Sequence, residues 1–444
     1  MKNDERFSGK LRDYLHNYQG ATPLPDAVRA EVQSRIPQTR QISAIRGPLR
    51  HLRLAGLPAP AAYGLVAALA VVVALLGATY LGRIVGVPTP SHSIGPVPSA
   101  SASSTAVATG SWTTTGPMLA VRNGQTATLL PDGKVLAAGG DQTGLATAEL
   151  YDPASRSWAA TGSMLAARTG HSATLLGNGK VLVAGGYTTG NNPLASAELY
   201  DPATGTWAAT GDMMEARYRQ MSILLPDGRV LVAGGTSAGG TGGSDYLASA
   251  EIYDPDTGAW AVTARMTTAR IYATATPLAN GKVLVVGGLN GVALASAEVY
   301  DPLKGTWTGS AAMADARQGH TANLLDNGSV LVAGGEGARI LATATVYDPA
   351  TGRWTDTGVL VQPRKFATAT LLPDGRALVA AGFSGHDTLA SAELFDPASG
   401  SWSSAGTMAS PRQGQTSTLL PDGSVLLVGG AAGAAADLYD PGGA

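Results

Sequence analysis

The chain has 444 residues, 44% of them hydrophobic, and a formal net charge of −2; it contains no cysteine. That length and apolar content support a large buried core, while the lack of cysteine excludes disulfides, thiolate metal sites and cysteine nucleophiles. The charge is unevenly spread: residues 1–53 hold ten Lys/Arg against five Asp/Glu, and residues 106–444 hold nineteen against twenty-seven, a net of −8. A nucleic-acid partner is therefore not expected.

Residues 1–53 read as two short amphipathic helices. Phe7, Leu11, Leu15 and Tyr18 share one face, and Val28, Val32 and Ile36 share another. Gly20, Pro23 and Pro25 separate the two, and Asp26 suits the first turn of the second. A pair this small buries little and has three options: docking on a partner, lying on a membrane, or partial disorder.

Residues 61–82 carry no charge over 22 positions, enough to span a bilayer as a helix. The run starts too far from Met1 for a typical signal peptide. Arg46, Arg50 and Arg53 precede it, whereas only Arg83 follows before Arg122. The positive-inside rule then predicts a single-pass protein with a cytoplasmic N-terminus and an extracytoplasmic remainder. Residues 84–106, rich in Pro, Ser and Ala, read as an extended stalk that reaches roughly 75 Å at full stretch.

From about residue 107 the chain repeats. Seven tryptophans, Trp112, Trp158, Trp207, Trp260, Trp307, Trp354 and Trp402, are each followed 28 residues later by a glycine that closes an apolar run. A Tyr or Phe precedes six of them by seven residues: Tyr151, Tyr200, Tyr253, Tyr300, Tyr347 and Phe395. An Asp-Gly or Asn-Gly pair stands 20 residues after every Trp, marking a hairpin turn between two strand-like runs. The AELYDP-type run supplies a third strand, ended by Pro, and the Trp lies on a fourth.

Four strands per unit predict a propeller blade. All the length variation falls between the second and third strands, as a single variable face requires. The array opens on a fourth strand around Trp112 and ends on a third strand at residues 437–441. The first strand should therefore complete the last blade, leaving no open edge. The expected fold is all-β: a seven-bladed propeller over residues 107–444, closed by its N-terminal strand and preceded by one transmembrane helix.

The double glycine after an apolar strand, followed by Tyr and then Trp seven residues on, resembles the kelch repeat. The resemblance covers about 107–443, and six of seven repeats keep both glycines; the sixth has Ala381-Gly382. It implies a galactose oxidase-like propeller of the kind found in copper oxidases, sialic-acid epimerases, ubiquitin-ligase adaptors and bacterial envelope proteins. It specifies fold far better than function. The segment TPLPDAVRAEVQSRIPQTR separately resembles the cytoplasmic tails of bacterial anti-sigma-like membrane proteins, although their His/Cys zinc motif is missing and only His16 is present.

Copper radical oxidases of this family use a tyrosine crosslinked to cysteine and two histidine ligands, so the lack of cysteine argues against that chemistry. His171 and His320 share one repeat register, 13 residues after a Trp, and His386 lies in a variable loop. No metal or other cofactor is expected. The Asp of each Tyr-Asp-Pro (Phe-Asp-Pro in one repeat) and the Glu two residues before four of the tyrosines and Phe395 recur so regularly that they read as scaffold. That Asp should cap the turn before the Trp.

An arginine follows every Trp by ten residues: Arg122, Arg168, Arg217, Arg270, Arg317, Arg364 and Arg412. One reading is a ring of guanidinium groups that binds anions at one mouth of the channel. In kelch adaptors, arginines at the matching register contact acidic peptides. The other, preferred reading is scaffold, each arginine pairing with an acid or carbonyl.

Two residues after the arginine, four repeats carry glycine and three carry Arg219, Tyr272 or Phe366. These departures are binding candidates or channel fillers. The longest variable loop, 236–249, adds Asp245 and Tyr246. The expected function is a membrane-anchored, non-enzymatic module that binds a protein or glycan at the cell envelope. The alternatives are a metal-independent carbohydrate-active enzyme and a signalling protein whose tail, residues 1–53, captures a cytosolic partner.

Overall fold

The computed structural model describes residues 110–141, 144–189, 192–237, 245–430 and 433–442. The expected tail (1–53), membrane span (61–82) and stalk (84–106) lie outside these residues. Among the described residues no helix is long and apolar enough to cross a membrane.

The described chain forms seven four-stranded antiparallel sheets. Blade one is Thr126–Leu129, Val135–Ala138, Ala148–Asp152 and Ser157–Ala160. Blades two to six repeat this order, with inner strands Ser172–Leu175, Met221–Leu224, Thr274–Pro277, Thr321–Leu324 and Thr368–Leu371. Blade seven contains Thr416–Leu419, Val425–Val428 and Ala436–Asp440, and its outer strand is Ser111–Thr114. In that last pairing Trp112 lies opposite Tyr439, the register that joins Tyr151 to Trp158 within blade one. The inner strands neighbour one another all round, blade seven meeting blade one.

The second strand of each blade is apolar throughout because both its faces are covered. Its alternate side chains enter different cores. Val135 and Ala137 pack with Leu426 and Val428 of blade seven, whereas Leu136 and Ala138 pack with Val181 and Val183 of blade two. Each of the seven hydrophobic clusters thus sits between two adjacent blades. The Tyr and Trp rings of each blade lie 4.9–5.2 Å apart between centroids, as do Phe395 and Trp402 in blade six. Burying one such aromatic ring stabilises by about 1.5–3 kcal/mol.

The turns follow from their residues. Gly133 has φ 82° and donates to the Leu130 carbonyl, while the Asp132 carboxylate accepts from the Lys134 amide. The Asp of every Tyr-Asp-Pro accepts from the amide two residues on, as Asp152 does from Ala154 at 2.9 Å. The capping role expected of this Asp is what the structure shows. Antiparallel pairing puts these two turns on one face of the propeller. The double glycines, the variable loops and the arginines share the opposite face.

Candidate functional site

The repeated arginines are structural. Arg122, Arg168, Arg217, Arg270, Arg317, Arg364 and Arg412 are each only 0–1% exposed. Five pair with the recurring glutamate of their blade, Glu149, Glu198, Glu251, Glu298 or Glu393, at 2.5–2.8 Å. Arg412 pairs with Asp437, and Arg317 has only Asp315, at 3.7 Å. Burial lowers the pKa of Arg168, Arg270, Arg364 and Arg412, and their acids oppose the shift.

The main chain of the same arginines joins the blades. In every blade the second glycine donates its N–H to the arginine carbonyl that leads into the next blade, from Gly140 to Arg168 at 2.9 Å through Gly430 to Arg122 at 2.8 Å. In six blades the first glycine keeps the approach of that carbonyl clear, whereas in blade six Ala381 holds the position with φ 64°. A Cβ on Gly185 would sit 2.4 Å from the Arg217 oxygen. The reading of an exposed anion-binding ring is therefore corrected. In the six blades where the guanidinium is enclosed by its own carboxylate and carbonyls it offers nothing to a ligand, and charge pairing in the interior is what makes its burial tolerable.

The two conspicuous histidines are scaffold as well. His171 Nε2 is 3.0 Å from the Thr126 hydroxyl and His320 Nε2 is 2.9 Å from that of Thr274, each bond crossing between blades. Burial, then the neighbouring arginines, pushes both pKa values down to about 3, so both rings are neutral.

The column two residues past the arginine lines the channel mouth. Gly170 donates to the Gly124 carbonyl, Arg219 to that of Gly170, Gly319 to that of Tyr272 and Phe366 to that of Gly319, all at 2.8–3.1 Å. Every residue in this column has a left-handed backbone: φ is 71°, 62°, 58° and 69° at Gly124, Gly170, Gly319 and Gly414. Glycine adopts that region without penalty. Yet Arg219 (φ 54°), Tyr272 (φ 56°) and Phe366 (φ 53°) adopt it too. Each costs about 1 kcal/mol relative to an ordinary backbone. Strain that recurs at one mouth points to function more than to folding.

These three side chains meet. The Arg219 guanidinium lies 4.8 Å from the centroid of the Tyr272 ring and hydrogen-bonds its hydroxyl. Tyr272 and Phe366 pack with centroids 5.4 Å apart and ring planes tilted by 59°. Phe366 reaches across because Gly319 leaves room; a Cβ there would be 2.7 Å from its Cε1. Burial raises the pKa of the Tyr272 phenol, Arg219 opposes the shift, and Tyr218, Tyr187 and Tyr246 add to it. Tyr246, from the long loop of blade three, forms a β-bridge with Thr236, which in turn bridges Tyr218. The Asp245 carbonyl accepts from the Thr236 hydroxyl and anchors that loop, while Tyr187 and Tyr218 pack edge to face at 4.9 Å. Beside the cluster, a cavity of about 220 Å³ is lined by Asn123, Gly124, Asp141, Thr169, Gly170, Tyr187 and Arg219.

Two sequence columns escaped the sequence reading: the residue after each arginine (Tyr218, Lys365) and the residue after each double glycine (Asp141, Tyr187, Glu336). They pair with each other within a blade, as Thr169 does with Tyr187 and Lys365 with Phe383. Their irregularity within an otherwise strict repeat was the available signal.

The Kelch motif family matches residues 167–214, 217–267, 272–313 and 367–409. The four matched stretches lie within the seven four-stranded blades, so residues 110–442 form a seven-bladed β-propeller that carries Kelch motifs. No curated protein matches the chain. Among solved structures, a fungal alcohol oxidase of the AA5 family in complex with copper aligns with a TM-score of 0.62 and 20% identity, over 75% of this chain and 76% of that one. YjhT aligns with a TM-score of 0.53 and 14% identity, over 65% of this chain and 98% of that one. Both likenesses concern the fold. The copper of the first neighbour has no fitting donor set here: the chain lacks cysteine, and the described residues contain no group of three His, Cys, Asp or Glu able to hold a metal.

Proposed function

We propose that the protein is a membrane-anchored interaction module whose extracytoplasmic propeller binds a glycan or protein at the cell envelope through the Arg219–Tyr272–Phe366 mouth. The observation that carries this reading is the strained backbone at three large side chains, in a column where four blades use glycine. A fold under no other demand would place glycine in all seven. Aromatic faces suit sugar rings or apolar side chains. Arg219, stacked on Tyr272 and exposed at the mouth, suits a carboxylate or a hydroxyl-rich ligand.

The anchor in this proposal is the uncharged run 61–82, with the tail 1–53 in the cytoplasm, available to a cytosolic partner. The strand Ser111–Thr114 closes the ring and joins it to the stalk. The mouth is read as a binding site, not a catalytic one, because Arg219, Tyr272 and Phe366 include no nucleophile paired with a base.

The test is a glycan and acidic-peptide array probed with detergent-solubilised full-length protein and with its Arg219→Ala and Tyr272→Ala variants. Binding lost in both variants is the expected result. Binding that survives both places the site elsewhere, and turnover of a bound glycan replaces the binding module with an enzyme.

A further inference from the structure

Blade five breaks the arginine–glutamate pattern. In five blades one glutamate does three things at once. Glu298 pairs with Arg270 at 2.6 Å and accepts from two successive amides, Thr267 at 2.7 Å and Thr268 at 3.2 Å. Glu149, Glu198, Glu251 and Glu393 repeat the arrangement.

In blade five Thr345 replaces the glutamate, and its hydroxyl donates to the Thr355 carbonyl. The corresponding amides, Ala314 and Asp315, are met by no carboxylate. Arg317 remains buried at 1% exposure, bonded to the Gly334 and Thr343 carbonyls and the Thr343 hydroxyl. A cleft of about 280 Å³ opens onto it, with Asp315, Thr343, Thr345, Asp356 and Val359 also in its lining. Blade three has a cleft in the same place, but there Glu251 already occupies the arginine end.

The charges of the blade-five cleft are ordered. The guanidinium and the two amides form an inner anion-accepting end. Asp315, whose side chain is 43% exposed, holds its carboxylate 3.7 Å from the Arg317 guanidinium and accepts from the Thr343 hydroxyl, and Asp356 is exposed. Those acids oppose a bare anion and favour a ligand that also carries a cation. We propose that this cleft binds a small amino carboxylate, its carboxylate taking the place of the missing glutamate against Arg317 and the Ala314 and Asp315 amides, and its ammonium group facing Asp315 and Asp356.

All seven tryptophans lie between residues 112 and 402, so intrinsic fluorescence of the full chain reports propeller unfolding. Glycine is titrated into the wild type, with acetate and ethylamine as single-charge probes. Glycine is expected to raise the Tm by about 2 °C or more near saturation, acetate to raise it less, and ethylamine not at all. Thr345→Glu supplies the carboxylate from within: it is expected to raise the Tm unaided and to abolish the glycine response. Thr345→Asp, the acid that blade seven uses, serves if the first variant does not fold. No glycine shift in the wild type overturns the site, as does an equal shift in the variant. A response to acetate alone overturns the zwitterion, and a response to ethylamine overturns the carboxylate contact.

Discussion

The N–H of Gly430 donates to the carbonyl of Arg122 at 2.8 Å, joining the last blade to the connection that leads into the first. It is the same bond that Gly140 makes to Arg168, so the ring uses one joint seven times. The last blade adds a second tie at its outer edge. Trp112 stacks on Tyr439 at 5.0 Å, and its indole N–H donates to the Ala405 carbonyl of blade six at 2.7 Å.

Trp112→Ala removes that stacking and that inter-blade hydrogen bond together. A loss of about 3–5 kcal/mol is expected, read as a lower urea midpoint. Blade seven then presents an unpaired edge, so the variant is also expected to aggregate on chromatography. An unchanged midpoint would show that the outer strand adds nothing to the ring.

The arginine network makes a prediction of opposite sign for stability and for binding. Glu298→Ala leaves Arg270 buried without its carboxylate and orphans the Thr267 and Thr268 amides. Breaking a buried pair in this way costs about 3–5 kcal/mol. Arg219→Ala, at the exposed mouth, is expected to leave the urea midpoint within about 0.5 kcal/mol of wild type and to remove ligand binding. Equal losses of stability in the two variants would contradict the division between scaffold and site.

His171 and His320 set an acid limit. Each has a folded pKa of about 3 against an ordinary value of 6.5, because burial and nearby arginines (Arg168 and Arg122, Arg317 and Arg270) disfavour the charged ring. The unfolded chain therefore binds more protons between pH 6.5 and 3. Stability is complete above pH 6.5 and falls as the pH drops through that window, by up to about 1.4 kcal/mol per pH unit per histidine. Gln occupies this register in three blades, at Gln125, Gln220 and Gln415. The double variant His171→Gln/His320→Gln is thus expected to fold and to flatten the dependence of Tm on pH between 6 and 4. A slope equal to that of the wild type would assign the acid sensitivity to the carboxylates.

Tyr272→Gly and Phe366→Gly place at the mouth the residue that four blades already use. Relief of the left-handed backbone favours each variant by about 1 kcal/mol, offset in part by lost packing between the two rings. Both are expected to match or slightly exceed wild-type stability while binding of the ligand declines. A large destabilisation would make these rings gap fillers of the channel and no more.

The propeller could be read from the chain because its determinants are local and repeated. A strict Trp-to-Gly distance, Asx-Gly turns and Pro-terminated third strands act within one blade, and they mark seven blades without tertiary information. The mouth was legible only in part. Arg219, Tyr272 and Phe366 stood out as departures from glycine, but no spacing in the sequence says that side chains of blades three, four and six touch. Their contact depends on backbone hydrogen bonds between neighbouring blades and on the space left at Gly319.

The arginines show the boundary most clearly. The sequence by itself determined that there are seven, one per blade, ahead of the inner strand. Only the tertiary structure decided that they face inward, because two main-chain carbonyls from later strands and loops close around each guanidinium, joined in five blades by a glutamate. In the same way, Thr345 in place of glutamate is a single substitution in the sequence, and only the fold shows that it leaves Arg317 without the close carboxylate partner of the other blades. Periodicity records which residues recur, whereas desolvation and pairing, which need all the partners in place, decide what each recurring residue does.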